Sequence, residues 1–161
     1  MSFKLSEYES TIRMVLDSEG EFRMYPKGIS MLPLLKEGRD SVVLVKPKGT
    51  IKAWNIAFYK RDNGAFVLHR IVKTHREEGL YDMCGDNHIS IEHGIREDQV
   101  IGVVKKIYIG DRCIGSHDLW YKVYVNCWKS MFVRRVFFKL RSIFNKVSEV
   151  IKGSSKNGDV H

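Results

Sequence analysis

The chain opens on one long polar–apolar wave and then breaks into short ones. Over residues 4–18 (KLSEYESTIRMVLDS) the apolar side chains Leu5, Tyr8, Ile12, Val15 and Leu16 recur at helical spacing, which predicts an amphipathic helix closed by Gly20. From residue 21 the period shortens. β-Branched and aromatic runs punctuated by Gly, Pro, Asn and Asp predict strands near 21–26, 41–46, 55–60, 65–74, 79–84 and 100–109. RDNGAF at 61–66 predicts a tight hairpin whose positive φ values fall to Asn63 and Gly64, and REEGLY at 76–81 predicts another. Residues 1–115 therefore read as one mainly β domain, a coiled mixed sheet with a helix at its front. Past Gly115 the helical period returns. Val133, Val136, Phe137, Leu140, Ile143, Phe144, Val147, Val150 and Ile151 fall on one face over 133–152, with only Phe138 straying and a basic face opposite. Residues 116–152 are thus a basic amphipathic helical tail. The last segment, GSSKNGDVH at 153–161, is expected to be disordered.

Charge sharpens this division. The net charge is +8, yet eight Lys or Arg stand against only Asp118 and Glu149 between His117 and Lys152, so the rest of the chain is nearly balanced. That distribution argues against a nucleic-acid-binding body. Arg134, Arg135, Lys139, Arg141, Lys146 and Lys152 opposite an apolar face suit an anionic membrane surface, with Trp120, Tyr121, Tyr124 and Trp128 anchoring at headgroup depth. The same face also suits the domain's own sheet or a second copy of the chain, and the oligomeric state stays open. Cys84, Cys113 and Cys127 are odd in number and lack metal or C-x-x-C spacing, and they read as reduced thiols. No apolar leader or spanning segment occurs, which points to a cytoplasmic protein, peripheral at most at the inner membrane face.

The candidate chemistry lies in three short runs. KGISMLPLL sets Ser30 in a turn between Gly28 and Pro33; a serine becomes nucleophilic only with a base and an oxyanion site. FVLHRIVK follows the Asn-Gly turn, and strand alternation puts His69 on the face of Val67 and Ile71, with Leu68 and Arg70 pointing away. Burial there keeps an imidazole neutral, as a general base must be. CGDNHISIE follows a strand, where Asp86 is placed to face inward and orient His69. His88 and His93 near Glu92 lack metal-ligand spacing, so neither a metal nor another cofactor is expected.

Taken in order, these runs resemble the type I signal peptidases and their relatives, the self-cleaving SOS repressors. Ser30, Met31 and Pro33 match the serine box; His69-Arg70-Ile71-Val72 matches the base box in the histidine form of the endoplasmic-reticulum-type enzymes; Gly85-Asp86-Asn87 and the VIGVV strand at 100–104 follow. The resemblance covers roughly residues 20–110. It implies a signal-peptidase-like catalytic domain and a serine endopeptidase acting on a leader or signal-like peptide. Ser30 would be the nucleophile, His69 the base and Asp86 its orienting acid, with activity falling as pH drops below neutral. The backbone N–H groups of Ser30 and Gly28 would bind the oxyanion, and Arg23, Met24 and Tyr25 would pair with the substrate strand. Asn87 and Glu92 would support the site.

Three departures stand out. Gly28 occupies a position where many members carry a second serine, Trp54-Asn55 replaces a Gly-Asp turn, and no N-terminal anchor is present. A catalytically inactive peptide-binding module and a self-cleaving regulator are the alternatives. Residues 1–20 are too short for the repressors' DNA-binding domain.

Overall fold

The structure is a computed structural model and describes residues 5–115 and 118–156. Its first helix, α1 (Leu5–Ser18), buries Ile12 and Leu16 and ends where Gly20 takes φ +77°. Eight strands follow: β1 (Glu21–Met24), β2 (Ser41–Val45), β3 (Ile56–Lys60), β4 (Phe66–His75), β5 (Leu80–Cys84), β6 (Glu92–Arg96), β7 (Val100–Ile109) and β8 (Arg112–Ile114). They form one sheet in the order β1-β2-β7-β3-β4-β5-β6, with β8 beside β7. The mainly β architecture is as expected, but every pairing is antiparallel where a mixed sheet was anticipated. Short connections favour this outcome, since a parallel pair needs a long crossover.

The sheet is coiled by register shifts at Val43/Leu44, Phe58/Tyr59, Ile71/Lys73 and Tyr81/Met83, because a bulge bends a strand and increases its twist. Coiling gives the sheet two apolar faces. One packs Ile12 and Leu16 of α1 with Leu34, Val42, Phe58 and Leu68; the other gathers Ala57, Tyr59, Ile71, Tyr81 and Met83. Each fully buried aliphatic side chain contributes roughly 1.5–3 kcal/mol, so alternation along β3 and β4 fixes which residues face which side. His69 accordingly lies on the side of Val67 and Ile71, as the alternation predicts.

Smaller differences have local causes. In the β3–β4 loop only Gly64 has positive φ; Asn63 instead accepts the Ala65 N–H, so the tip is wider than a two-residue turn. Trp54, at the position of the replaced glycine, takes φ +73°, a conformation rare for a bulky residue. β6 forms where no strand was predicted, burying only Ile95.

The tail is two helices, α2 (Leu119–Lys129), capped by the Asp118 carboxylate on the Trp120 N–H, and α3 (Met131–Lys156). Residues 153–156 are therefore helical rather than disordered, and 157–161 lie outside the described residues. No described helix is long and apolar enough to cross a membrane.

Candidate functional site

Ser30 sits in a turn anchored by its apolar neighbours. Met31, Leu34 and Leu35 are buried in the core, and the Leu32–Pro33 peptide is cis. Gly28 enters the turn at φ +85°, where a side chain is strained. Its N–H donates to Glu37 Oε2 at 2.8 Å. The expected oxyanion role of Gly28 is therefore corrected: that donor is already engaged. The Ser30 N–H makes no backbone hydrogen bond among the described residues.

His69 is 4% exposed, paired with Ala57 across β3–β4. Its Nδ1 lies 3.3 Å from the Tyr59 hydroxyl, which donates to Glu92 Oε2 at 2.8 Å. Arg61 grips the same carboxylate, with contacts of 2.8 and 2.6 Å. This network assigns the tautomer. Glu92 is held ionised: burial pushes its carboxyl up, but the hydrogen bonds from Arg61 and Tyr59 outweigh it and bring it below the usual range. The single Tyr59 proton goes to that carboxylate, so the Tyr59 oxygen accepts from Nδ1–H and the lone pair is left on Nε2. Burial, reinforced by the charges of His88 and Arg61, lowers the His69 pKa to about 4. The imidazole is thus a neutral base at physiological pH. Its Nε2 is buried and has no hydrogen-bond partner.

Nε2 faces the Gly85 turn. A Cβ placed on Gly85 would lie 3.0 Å from His69 Nε2, 2.9 Å from His88 Nδ1 and 2.7 Å from the Ser30 carbonyl oxygen. Asn87 donates its N–H to that carbonyl at 2.8 Å, which pins the serine turn to the third run. Only glycine permits this convergence. Gly85→Ala should lower stability by roughly 1–3 kcal/mol through forced backbone displacement. It should also speed amide exchange at Asn87; an unchanged melting temperature and unchanged exchange would refute the crowding argument.

Asp86 does not orient His69. It is fully buried and accepts Arg70 Nε at 2.8 Å and Nη2 at 2.7 Å, while Tyr124 Oη donates to Oδ2 at 2.9 Å. The reason is the alternation of β4: Arg70 points away from His69, and Asp86 turns toward the arginine. The hydrogen-bond partner of His69 Nδ1 is instead Tyr59, held in turn by Glu92. Glu92, expected only as a support, therefore enters the network, and Asn87 meets the serine turn through its backbone N–H. Arg23, Met24 and Tyr25 lie at β1 and just beyond it, at the end of the sheet; β1 pairs only with β2, leaving its outer edge free among the described residues. Met24 and Tyr25 join Ser30, His69, His88 and Phe58 around a cleft of about 420 Å³.

The tail completes the site from behind. Trp128 Nε1 donates to the Asp86 carbonyl at 3.0 Å, and Arg141 Nη1 donates to Asn87 Oδ1 at 2.7 Å. Arg134, 1% exposed, donates through Nη2 to the Gly85 carbonyl at 2.6 Å and to the His88 carbonyl, and it contacts Cys84 Sγ. Arg134, Arg141 and Trp128 are therefore turned to the protein, not to a membrane as their membership of the basic and aromatic sets implied. Set against known proteins, no family model matches this chain, and no curated protein or solved structure matches it significantly.

Proposed function

We propose that the chain is a serine endopeptidase that cleaves a leader or signal-like peptide without a cofactor, working in the cytoplasm and peripherally at the inner membrane face. The observation that carries the reading is that the Ser30 turn and a buried His69 with an unpartnered Nε2 meet at the Gly85 turn and line one cleft. In the mechanism, Ser30 Oγ attacks the peptide carbonyl while His69 Nε2 takes its proton, then returns it to the departing amine. Tyr59 and Glu92 hold the tautomer and stabilise the imidazolium as it forms. The Ser30 N–H, which makes no backbone hydrogen bond among the described residues, donates to the oxyanion in this mechanism. The substrate adds as a strand along the open edge of β1, with side chains in the cleft.

The engagement of the Gly28 N–H by Glu37 favours a second reading, a peptide-binding module that does not cut, since one backbone donor is missing. A fluorophosphonate probe separates the two. Labelling of the purified protein at Ser30 is the expected result, and it should stay level through mildly acid pH and fall around pH 4, where His69 takes its proton. The lowered pKa thus replaces the expectation of a loss just below neutrality. Absence of labelling supports the binding module; a midpoint near the ordinary histidine value would overturn the lowered pKa, and labelling that survives His69→Ala would remove His69 from the role of base.

A further inference from the structure

The tail faces two ways, and its two faces carry different chemistry. At about 100° per residue, Phe132, Val133, Val136, Leu140, Ile143 and Phe144 of α3 fall within an arc of about 120°. All six are exposed, Leu140 at 62%. Neither the sheet nor α2 covers them, so the packing of this face on the domain is set aside for these residues. Arg135 and Lys139, both exposed, border one side of that arc. Arg134 and Arg141 lie on the opposite side and reach the Gly85–His88 turn.

The inward face is costly. Arg134 is buried with its Nε unpartnered, and no carboxylate pairs with it among the described residues. A buried guanidinium answered only by carbonyl and sulfur acceptors carries a desolvation penalty. The outward face adds nothing to offset it, since an apolar stripe in water does not support its own helix. Phe137 against Trp128 anchors α3 from inside, and whatever stabilises α3 from outside adds to its grip on the turn. Flanking cations beside aromatic and aliphatic side chains match the boundary between anionic headgroups and acyl chains.

We propose that α3 is a membrane-responsive clamp: its outward face docks on an anionic bilayer, and docking tightens the hold of Arg134 and Arg141 on the turn that binds the Ser30 carbonyl beside His69. The regulatory consequence rests on the peptidase reading of that site, but the coupling itself does not. Any ligand that binds only helical α3 stabilises everything that helical α3 holds, by linkage.

The test uses the full chain with vesicles of phosphatidylglycerol and phosphatidylcholine, or of phosphatidylcholine alone. Sedimentation reports binding, and hydrogen exchange of the Asn87 amide, bonded to the Ser30 carbonyl, reports the clamp. Binding to the anionic vesicles only, weakened by salt, with Asn87 exchange slowed about tenfold, is the expected result. Leu140→Glu with Ile143→Glu should abolish both effects while leaving the vesicle-free exchange pattern unchanged. Arg141→Ala should bind as well as the parent yet gain less protection at Asn87.

Vesicle binding without any change at Asn87 would overturn the coupling. Failure to bind, or a concentration-dependent dimer broken by the Leu140→Glu and Ile143→Glu pair, would overturn the bilayer as occupant in favour of a second copy. Exchange is read without any cleavage. A protein that fails to label with the fluorophosphonate but still shows the lipid-linked protection would sink the peptidase reading and leave the clamp standing.

Discussion

Ser30→Ala should lower cleavage of an extended-peptide library by at least about a thousandfold while the melting curve stays where it was, because removing an attacking hydroxyl leaves only binding and oxyanion stabilisation. Ser30 is half-buried in a turn held by Met31, Leu34 and Leu35, and its hydroxyl supports none of those contacts. His69→Ala should be about as inactive, since the hydroxyl then has no acceptor for its proton. Quantifying products by mass spectrometry at matched protein concentration checks both. Cleavage by Ser30→Ala at the parent rate would end the peptidase reading outright. The third partner separates positioning from chemistry: Tyr59→Phe removes the oxygen that receives Nδ1–H, so kcat should fall with KM little changed.

Asp86→Asn should be the most destabilising conservative change in the molecule. It leaves the Arg70 guanidinium, 1% exposed, without its bidentate carboxylate. Removing one partner of such a buried pair costs about 3–5 kcal/mol, against a total of roughly 5–15 kcal/mol for an ordinary domain. Urea unfolding should therefore show a large drop in midpoint. Had Asp86 been the acid behind His69, the same substitution would lower kcat and spare stability; that pattern would refute the ion-pair assignment. Replacing both partners, Arg70→Met with Asp86→Leu, should recover part of the loss, because no uncompensated charge then remains.

The contrast between Asp86 and Glu92 shows where sequence reading stops. Alternation along FVLHRIVK places His69 and Arg70 on opposite faces, and both are competent partners for a nearby acid. Nothing in CGDN says toward which face the turn rolls. The decision belongs to Tyr124 and Trp128, distant in sequence, which draw Asp86 to the arginine side. Tyr59 was within reach: a hairpin closed near Asn63-Gly64 sets it diagonally across from His69, two residues along from the Ala57–His69 pair. α2 announced itself through Asp118, a helix-capping residue ahead of an aromatic run, but its spacing was read as surface anchoring rather than packing. β6 carries one buried apolar residue in five, too few to show a period. The front helix and the other long strands were legible because each buries a regular stripe; the partner of each stripe was not.

The order of strands in the sheet has a consequence for how the chain acquires its shape during synthesis. β2 and β3 are neighbours in sequence, yet β7 lies between them in space. A nascent chain emerging as far as His75 already contains both Ser30 and His69, but no strand pairing joins β2 to β3 until Val100–Ile109 arrives. Such non-local pairing forms late, because the intervening loop must close before contacts compensate for its entropy. The β3–β4 and β4–β5 hairpins are local and free to form early; the edge of β2 must wait, exposed to association with other chains. The Gly85 turn receives its last bonds later still, from Arg134 and Arg141. The Ser30 turn is thus among the first parts translated and among the last to be locked, so the proposed catalytic arrangement is completed only after α3 has been made.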